Sequence, residues 1–342
     1  MKEKITISEI AKRSGVSLAT VSLALNNRPG ISAETRERVL ETASELGYIV
    51  KPSGQFSCGS LKTIGMVVKT DRGTTPQANP FYSKVLIGIE DTCRRIGINL
   101  LFATLPVDND NRALEIPPMV YNGMVDGLLV VGTFVDETID TFSGNTHIPL
   151  VLVDGYSNSE RFDAVVSDNF HAAYQAVEYL IQKGHRQIGL VGSEENSYPS
   201  IKERRNGYLR ALKMNNISKM MIAPFNINKS HGFNETTQLL QEHPEITALF
   251  CVNDDAAAAA MKAAQALGRN IPADLSVIGY DDTYIAANTV PTLTTMHVDT
   301  LALGRAAVHL LALRAENPDT ARMTCTIHPL LVERESVAPL KS

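Results

Sequence analysis

Residues 5–25 read Ile5-Thr6-Ile7-Ser8-Glu9-Ile10-Ala11-Lys12-Arg13-Ser14-Gly15-Val16-Ser17-Leu18-Ala19-Thr20-Val21-Ser22-Leu23-Ala24-Leu25. Thr6 and Glu9 have the spacing of a capping box, with Thr6 as N-cap and Glu9 at N3. Ile7, Ile10 and Ala11 then recur at helical spacing until Ser14-Gly15, where glycine supplies the turn. Ser17 is a second N-cap, and Val21, Ala24 and Leu25 share one face of the helix it opens, about Leu18–Asn26. Ser32 is a third, followed by Val39, Leu40, Ala43 and Leu46 up to Gly47. Three short helices with a tight turn between the first two describe a helix-turn-helix.

The second helix keeps small or hydroxyl-bearing residues off its core side. Leu18, Ala19 and Leu23 can meet base edges and thymine methyls, while Thr20, Ser22 and Asn26 can hold phosphates; Thr6 and Ser17 are further DNA-contact candidates. Spacing alone also fits a plain three-helix bundle. Charge favours the nucleic-acid reading: residues 1–62 carry nine Lys/Arg against six acids, +3, which leaves −8 for the rest of a chain whose net charge is −5. A cationic head on an anionic body suits contact with a polyanion through the head alone.

The chain has 342 residues, 44% hydrophobic and 20% charged, enough for two or three domains and unlike a disordered composition. No apolar run is long enough to span a membrane, and the N-terminus lacks the apolar core of a secretory signal, so a cytoplasmic protein is expected. Cys58, Cys93, Cys251 and Cys325 lack metal-ligand spacing and fit reduced thiols. Neither a metal nor a cofactor is called for.

Beyond the Gly/Ser/Pro-rich stretch 51–60, apolar strands alternate with helical segments. Ile64–Val68, Ile98–Ala103, Gly127–Val131, Leu150–Val153, Ile188–Val191, Leu249–Val252 and Val277–Tyr280 read as strands of parallel sheets. Such sheets hold ligands beyond their carboxyl ends. Asp154, Asn253, Asp254 and Asp281 fall there, Phe81 and Tyr82 follow the first strand, and Arg204 lies on a helix. Carboxylates and an Arg fork suit bidentate hydrogen bonding to vicinal hydroxyls, and an aromatic ring suits the C–H face of a pyranose. Each strand-end Asp also has the bland reading of a helix N-cap.

The run Ile5–Ala11, Gly15–Ser22, Thr35-Arg36-Glu37-Arg38-Val39 and Leu46-Gly47-Tyr48 resembles the headpiece of the LacI/GalR family of bacterial transcription regulators. Asn79-Pro80-Phe81-Tyr82, Val153-Asp154, Ser167-Asp168-Asn169, Arg204-Arg205-Asn206-Gly207-Tyr208, Asn253-Asp254 and Ile278-Gly279-Tyr280-Asp281-Asp282 carry the likeness through the body. The resemblance implies an α/β fold: a three-helix helix-turn-helix headpiece and a two-lobed periplasmic-binding-protein-like core of doubly wound parallel sheets. The expected divisions are a headpiece at 1–50, a hinge at 51–62, one lobe from 63–159 with 296–325, and the other from 160–295 with 326–342.

The function implied is an effector-responsive, sequence-specific regulator, most often a repressor. It would bind pseudo-palindromic operator DNA as a homodimer, take a sugar in the cleft between lobes (with a nucleobase or nucleoside as the alternative), and catalyse nothing. Phe81, Tyr82, Asp154, Arg204, Asn253, Asp254 and Asp281 would face that ligand. Ile116-Pro117-Pro118 breaks a stretch that is normally helical in the family, and two positions depart from the pattern at the DNA. Leu23 stands where the recognition helix usually has Arg or His. The hinge carries Ser57 where a groove-inserting Leu is usual, with Phe56 beside it as the large apolar side chain. A solute-binding protein would fit the body but not the headpiece, and an enzyme lacks a phosphate loop, zinc spacing or nucleophile elbow.

Overall fold

The computed structural model describes residues 6–25, 30–46, 61–71, 80–108, 112–134, 136–145, 148–157, 161–194, 197–227, 230 and 232–340. Asn26, Phe56, Ser57 and the hinge at 51–60 lie outside them.

The headpiece is α1 (Ile7–Ser14), α2 (Leu18–Leu25) and α3 (Ala33–Glu45). Each start is fixed by the side chain read from sequence. The Thr6 backbone N–H donates to Glu9 Oε2 at 2.8 Å, Ser17 Oγ accepts from the Thr20 N–H at 3.1 Å, and Ser32 Oγ accepts from the Thr35 N–H at 3.1 Å. Gly15 takes φ 69°, the left-handed turn that a β-carbon disfavours. Ile10, Val21, Ala24, Val39 and Ala43 bury themselves between the three helices. Leu40, expected in that core, is instead exposed, because Val39 and Ala43 already face the neighbouring helices. Arg36 reaches back from α3 and donates to the Leu23 and Ala24 carbonyls, satisfying acceptors that the end of α2 leaves open.

The body continues β1 (Thr63–Asp71), α4 (Pro80–Ile96), β2 (Asn99–Val107), α5 (Pro118–Tyr121), β3 (Gly127–Val131), α6 (Asp136–Asn145), β4 (Leu150–Val153) and β5 (Asp163–Ser167). Next come α7 (Asn169–Gln182), β6 (Ile188–Val191), α8 (Pro199–Met214), β7 (Met221–Ala223), α9 (Phe233–Glu242) and β8 (Ala248–Cys251). It closes with α10 (Asp254–Ala266), β9 (Ser276–Asp281), α11 (Tyr284–Asn288), β10 (Thr294–His297), α12 (Thr300–Glu316), β11 (Thr324–Ile327) and β12 (Leu330–Val332). Pro117 and Pro118 set the start of α5, a single turn that ends at Asn122 and the left-handed Gly123 (φ 64°).

Two six-stranded sheets form among the described residues, in the orders β11-β5-β4-β3-β1-β2 and β12-β10-β9-β8-β6-β7. All pairings are parallel except the antiparallel β10–β12 pair. The sheet memberships move the expected lobe limits. Asp163–Ser167 was expected in the second lobe but pairs with β4 in the first sheet. Met296 and His297 were expected in the first lobe but complete β10 in the second sheet. Thr326 and Ile327 belong to β11, beside β5. Short strands rich in Thr and Ser give too weak an apolar signal to mark such crossings. The final strand, β12, is only three residues long and ends at Val332.

Close helix pairs brace the lobes. Gly207 lets α8 approach α7 so nearly that an added Cβ would lie 2.3 Å from the Phe170 carbonyl oxygen. Gly304 does the same between α12 and α4, where a Cβ would lie 2.4 Å from the Val85 oxygen. Helix propensity favours Ala over Gly by about 1 kcal/mol, whereas forced overpacking costs about 1–3 kcal/mol. Gly207→Ala and Gly304→Ala are therefore each expected to lower the melting temperature. An unchanged or higher value in a thermal scan would show that the helices can separate freely.

Candidate functional site

Two places collect the sequence candidates. In the headpiece, Ser17, Leu18, Ala19 and Ser22 are exposed on the side of α2 away from Val21, Ala24 and Leu25. Thr20 is half-buried and its hydroxyl meets Ser17 Oγ at 2.9 Å. Thr6 is exposed, with its hydroxyl donating to Glu9. Leu23 is only half-buried and leans towards Gly30. The helix thus offers small and hydroxyl-bearing groups from its first two turns, a surface that fits a major groove.

In the body, the strand ends of both sheets face a common cleft. Arg204, on α8, is buried at its centre. Its Nε donates to Asn169 Oδ1 at 2.8 Å and its Nη1 to the Val252 carbonyl at 2.5 Å. Nη2 lies 3.1 Å from Asp281 Oδ1, and the guanidinium carbon stands 3.7 Å above the Tyr280 ring. One side chain thereby touches the ends of β8 and β9 and the start of α7. Burial disfavours the guanidinium charge, but Asp281 and the neighbouring acidic groups more than offset this and hold its pKa above the ordinary arginine value.

Across the cleft, Asp154 follows β4 and is also buried. Its Oδ2 accepts from the Tyr82 hydroxyl at 3.0 Å, and Tyr82 packs edge-on to Phe81 with ring centroids 5.3 Å apart. Burial pushes the Asp154 carboxyl up to about 6, with Arg204 and the Tyr82 hydroxyl pulling the other way. Asp154, Asp281 and Asp282 take φ 53°, 99° and 54°. Backbone in that region is strained for a residue with a Cβ, and Asp tolerates it better than most. The strain turns the chain sharply out of each strand and leaves the carboxylates at the cleft.

The remaining candidates separate. Asn253 accepts the Ala256 N–H on its Oδ1 at 2.8 Å and is the N-cap of α10. Asp254 was expected to face the ligand but is fully buried behind the cleft. Its oxygens accept from the Thr283 N–H at 2.6 Å, the Thr283 hydroxyl at 3.1 Å and the Thr295 hydroxyl at 2.6 Å. Burial and the Asp281 charge push it up to about 7. Its part is to fix the turn that follows Asp281.

Other residues here went unassigned in the sequence. Lys69 donates to the Tyr198 hydroxyl at 2.8 Å, joining the end of β1 to the start of α8. The Tyr156 hydroxyl donates to Glu203 Oε2 at 2.8 Å and accepts from Asn169 Nδ2 at 3.2 Å. These contacts join the two lobes. Burial raises the Glu203 pKa, against the Tyr156 hydrogen bond. Only Asn169 had a signal, in its motif beside Asp168.

Comparison with known proteins fits this geometry. The description "Bacterial regulatory proteins, lacI family" matches residues 6–51, and "Periplasmic binding protein-like domain" matches 177–337. An HTH-type transcriptional repressor PurR from Aliivibrio salmonicida is 32% identical over 98% of this chain and 99% of its own. The chain belongs to the LacI family. The PurR of Proteus mirabilis is likewise 32% identical, over 97% of each chain. A lac repressor dimer bound to operator and the anti-inducer ONPF has 25% identity and a TM-score of 0.68 over 98% of this chain and all of its own. The CelR–cellobiose complex has 25% identity and 0.67 over 97% and 100%. This LacI-family chain is thus a DNA-binding transcriptional repressor and not an enzyme. None of its described helices is long and apolar enough to cross a membrane.

Two outcomes follow from the cleft. Arg204→Met leaves Asp281 buried without its partner, a change that costs about 3–5 kcal/mol and is expected to lower ligand-free stability in denaturant titration. Asp154 binds its proton more tightly folded than unfolded, so its contribution to stability is present below about pH 4 and is lost as pH rises to about 6. His185 and His309, both lowered by burial, act with the opposite sign near their own titration. The wild-type minus Asp154→Asn difference isolates Asp154: it should fall across that window, and a flat difference would refute the shift.

Proposed function

We propose that this LacI-family repressor senses a nucleobase in the cleft between its lobes and binds a pseudo-palindromic operator as a homodimer. Full-length relationship to repressors named PurR, a purine regulator, carries the choice of nucleobase over sugar. The cleft is consistent with it: Phe81 and Tyr82 offer ring surfaces, and Arg204 with the two carboxylates offers both donor and acceptor edges. A sugar remains the second reading, favoured by the cellobiose complex of one structural relative. Binding works by population shift, the ligand favouring one degree of lobe closure and so one spacing of the two headpieces.

A thermal-shift screen of hypoxanthine, guanine, ribose and cellobiose separates the readings. Stabilisation by a base and not by the sugars is expected, and the reverse pattern selects the sugar. A gel shift on the protein's own upstream region at defined salt then tests whether the same compound alters operator binding. Light scattering is expected to give a dimer, and a monomer with and without DNA would exclude the two-headed arrangement.

Leu18, Ala19 and Leu23 would read thymine methyls and base edges, with Thr20 and Ser22 holding the backbone. Leu23→Arg is expected to move preference towards a guanine-containing half-site by about tenfold, since a bidentate Arg–guanine pair contributes about 1–3 kcal/mol of discrimination. Selected-site sequencing that returns one motif for both proteins would remove position 23 from the reading surface.

A further inference from the structure

The chain passes from the headpiece to the lobes through Leu61, Lys62 and Thr63, which follow the Gly/Ser/Pro-rich stretch 51–60 and lead into β1. Any orientation that the lobes give the headpiece has to pass through these residues. They are held from both sides. Leu61 is buried among the apolar side chains of the core. On the β2 side, the Asn99 N–H donates to the Lys62 carbonyl at 2.9 Å. On the β3 side, Asp126 Oδ2 accepts from both the Lys62 and the Thr63 N–H groups, at 2.8 and 2.9 Å. The Asp126 N–H returns a bond to the Thr63 carbonyl at 2.7 Å, so the two residues grip each other reciprocally.

Asp126 is itself exposed, but its backbone is rooted in the first lobe. Val125 before it is buried, and Gly127 after it lies so close to α12 that an added Cβ would be 3.1 Å from Leu311 Cδ2. Register explains why a side chain is used here. β1 pairs with β2 from Thr63 but with β3 only from Ile64, so the carboxylate extends the grip of β3 towards the linker by two donors. The Thr63 N–H, and then the Lys62 N–H, hold its carboxyl below the usual carboxylate range. Both hydrogen bonds are therefore made to a charged acceptor at neutral pH, the stronger kind.

We propose that Asp126 is a positioning residue for operator binding: its fork on Lys62 and Thr63 sets the direction in which the linker leaves the first sheet, and so the spacing of the two headpieces on DNA. β1 lies between β2 and β3 in that sheet, so a movement of the first lobe turns the fork and the start of the linker together. Without the carboxylate, Lys62 and Thr63 lose their side-chain anchor on the β3 side. The second headpiece then reaches its half-site at a lower effective concentration, while each headpiece alone reads DNA as before. The inference rests on the reading that two headpieces of a homodimer engage one pseudo-palindromic operator, and it names the joint through which lobe closure would reach them.

Fluorescence anisotropy on the full-length protein tests it with two labelled duplexes: the one that site selection on wild type enriches, and the same duplex with one half-site scrambled. Asp126→Ala is expected to bind the two-half-site duplex about tenfold more weakly than wild type, the loss of hydrogen bonds to a charged group, and the one-half-site duplex equally well. Asp126→Asn keeps an acceptor oxygen on the fork and is expected to recover most of the loss, which a merely bulky or charged role would not show. Unchanged affinity of Asp126→Ala for the two-half-site duplex overturns the proposal. An equal loss on both duplexes also overturns it, because the damage would then lie within the headpiece. Wild type that binds both duplexes alike overturns the two-headed reading, and the proposal with it. Hydrogen exchange needs no DNA: Asp126→Ala is expected to speed exchange at the Lys62 and Thr63 amides and leave β8 and β9 as in wild type. Unchanged exchange at those two amides would show that the fork holds nothing, and the proposal fails.

Discussion

Arg204 is buried where the ends of the paired strands β8 and β9 meet the first turn of α7. Its five N–H groups form a rigid fork, and that fork is distributed over the Asn169 amide, the Val252 carbonyl and the Asp281 carboxylate, with the Tyr280 ring beneath it. A buried ion pair is weak evidence for net stability, because desolvation opposes the Coulombic gain. Its value here is geometric. The ends of β8 and β9 and the first turn of α7 are held at fixed separation, and the cleft takes its shape from that spacing.

The acids around this centre are arranged in two ranks. Asp154 and Asp281 leave their strands through left-handed backbone, which aims their carboxylates at the opening. Asp254 stands behind them and ties Thr283 and Thr295, so the turn after β9 cannot relax out of its strained shape. Gly279 is needed for this closeness, since a Cβ there would lie 2.6 Å from Asp254 Oδ1. Backbone strain is thus concentrated where the strand ends of the two sheets face one another.

Local signals in the sequence proved legible and non-local ones did not. Thr6 with Glu9, Ser17 and Ser32 each satisfy backbone groups within three residues, so the headpiece could be read almost entire. The strand-end position of Asp154 and Asp281 was likewise a matter of local order. By contrast, Leu40 shares its period with core residues and still faces solvent, because the packing of three short helices leaves room for only one stripe. Tyr156 and Glu203 meet across 47 residues of chain, and no periodicity marks them. Asn253 and Asp254 are adjacent and look equivalent, yet one caps a helix and the other is enclosed; only the path of β9 and β10 around them decides it.

The chain crosses between its two sheets after β5, after β10 and after β11, and the last strand of each sheet comes from residues 324–332. Synthesis from the N-terminus therefore delivers the parts in an unequal order. The headpiece, whose described core lies between Ile10 and Leu46, can close as soon as it clears the ribosome. The lobes must wait: β5 and β10 remain open sheet edges until β11 and β12 arrive with residues 324–332. The nascent protein thus holds a folded DNA-binding end well before it holds a finished sensor, and the cleft that could restrain that end is assembled last.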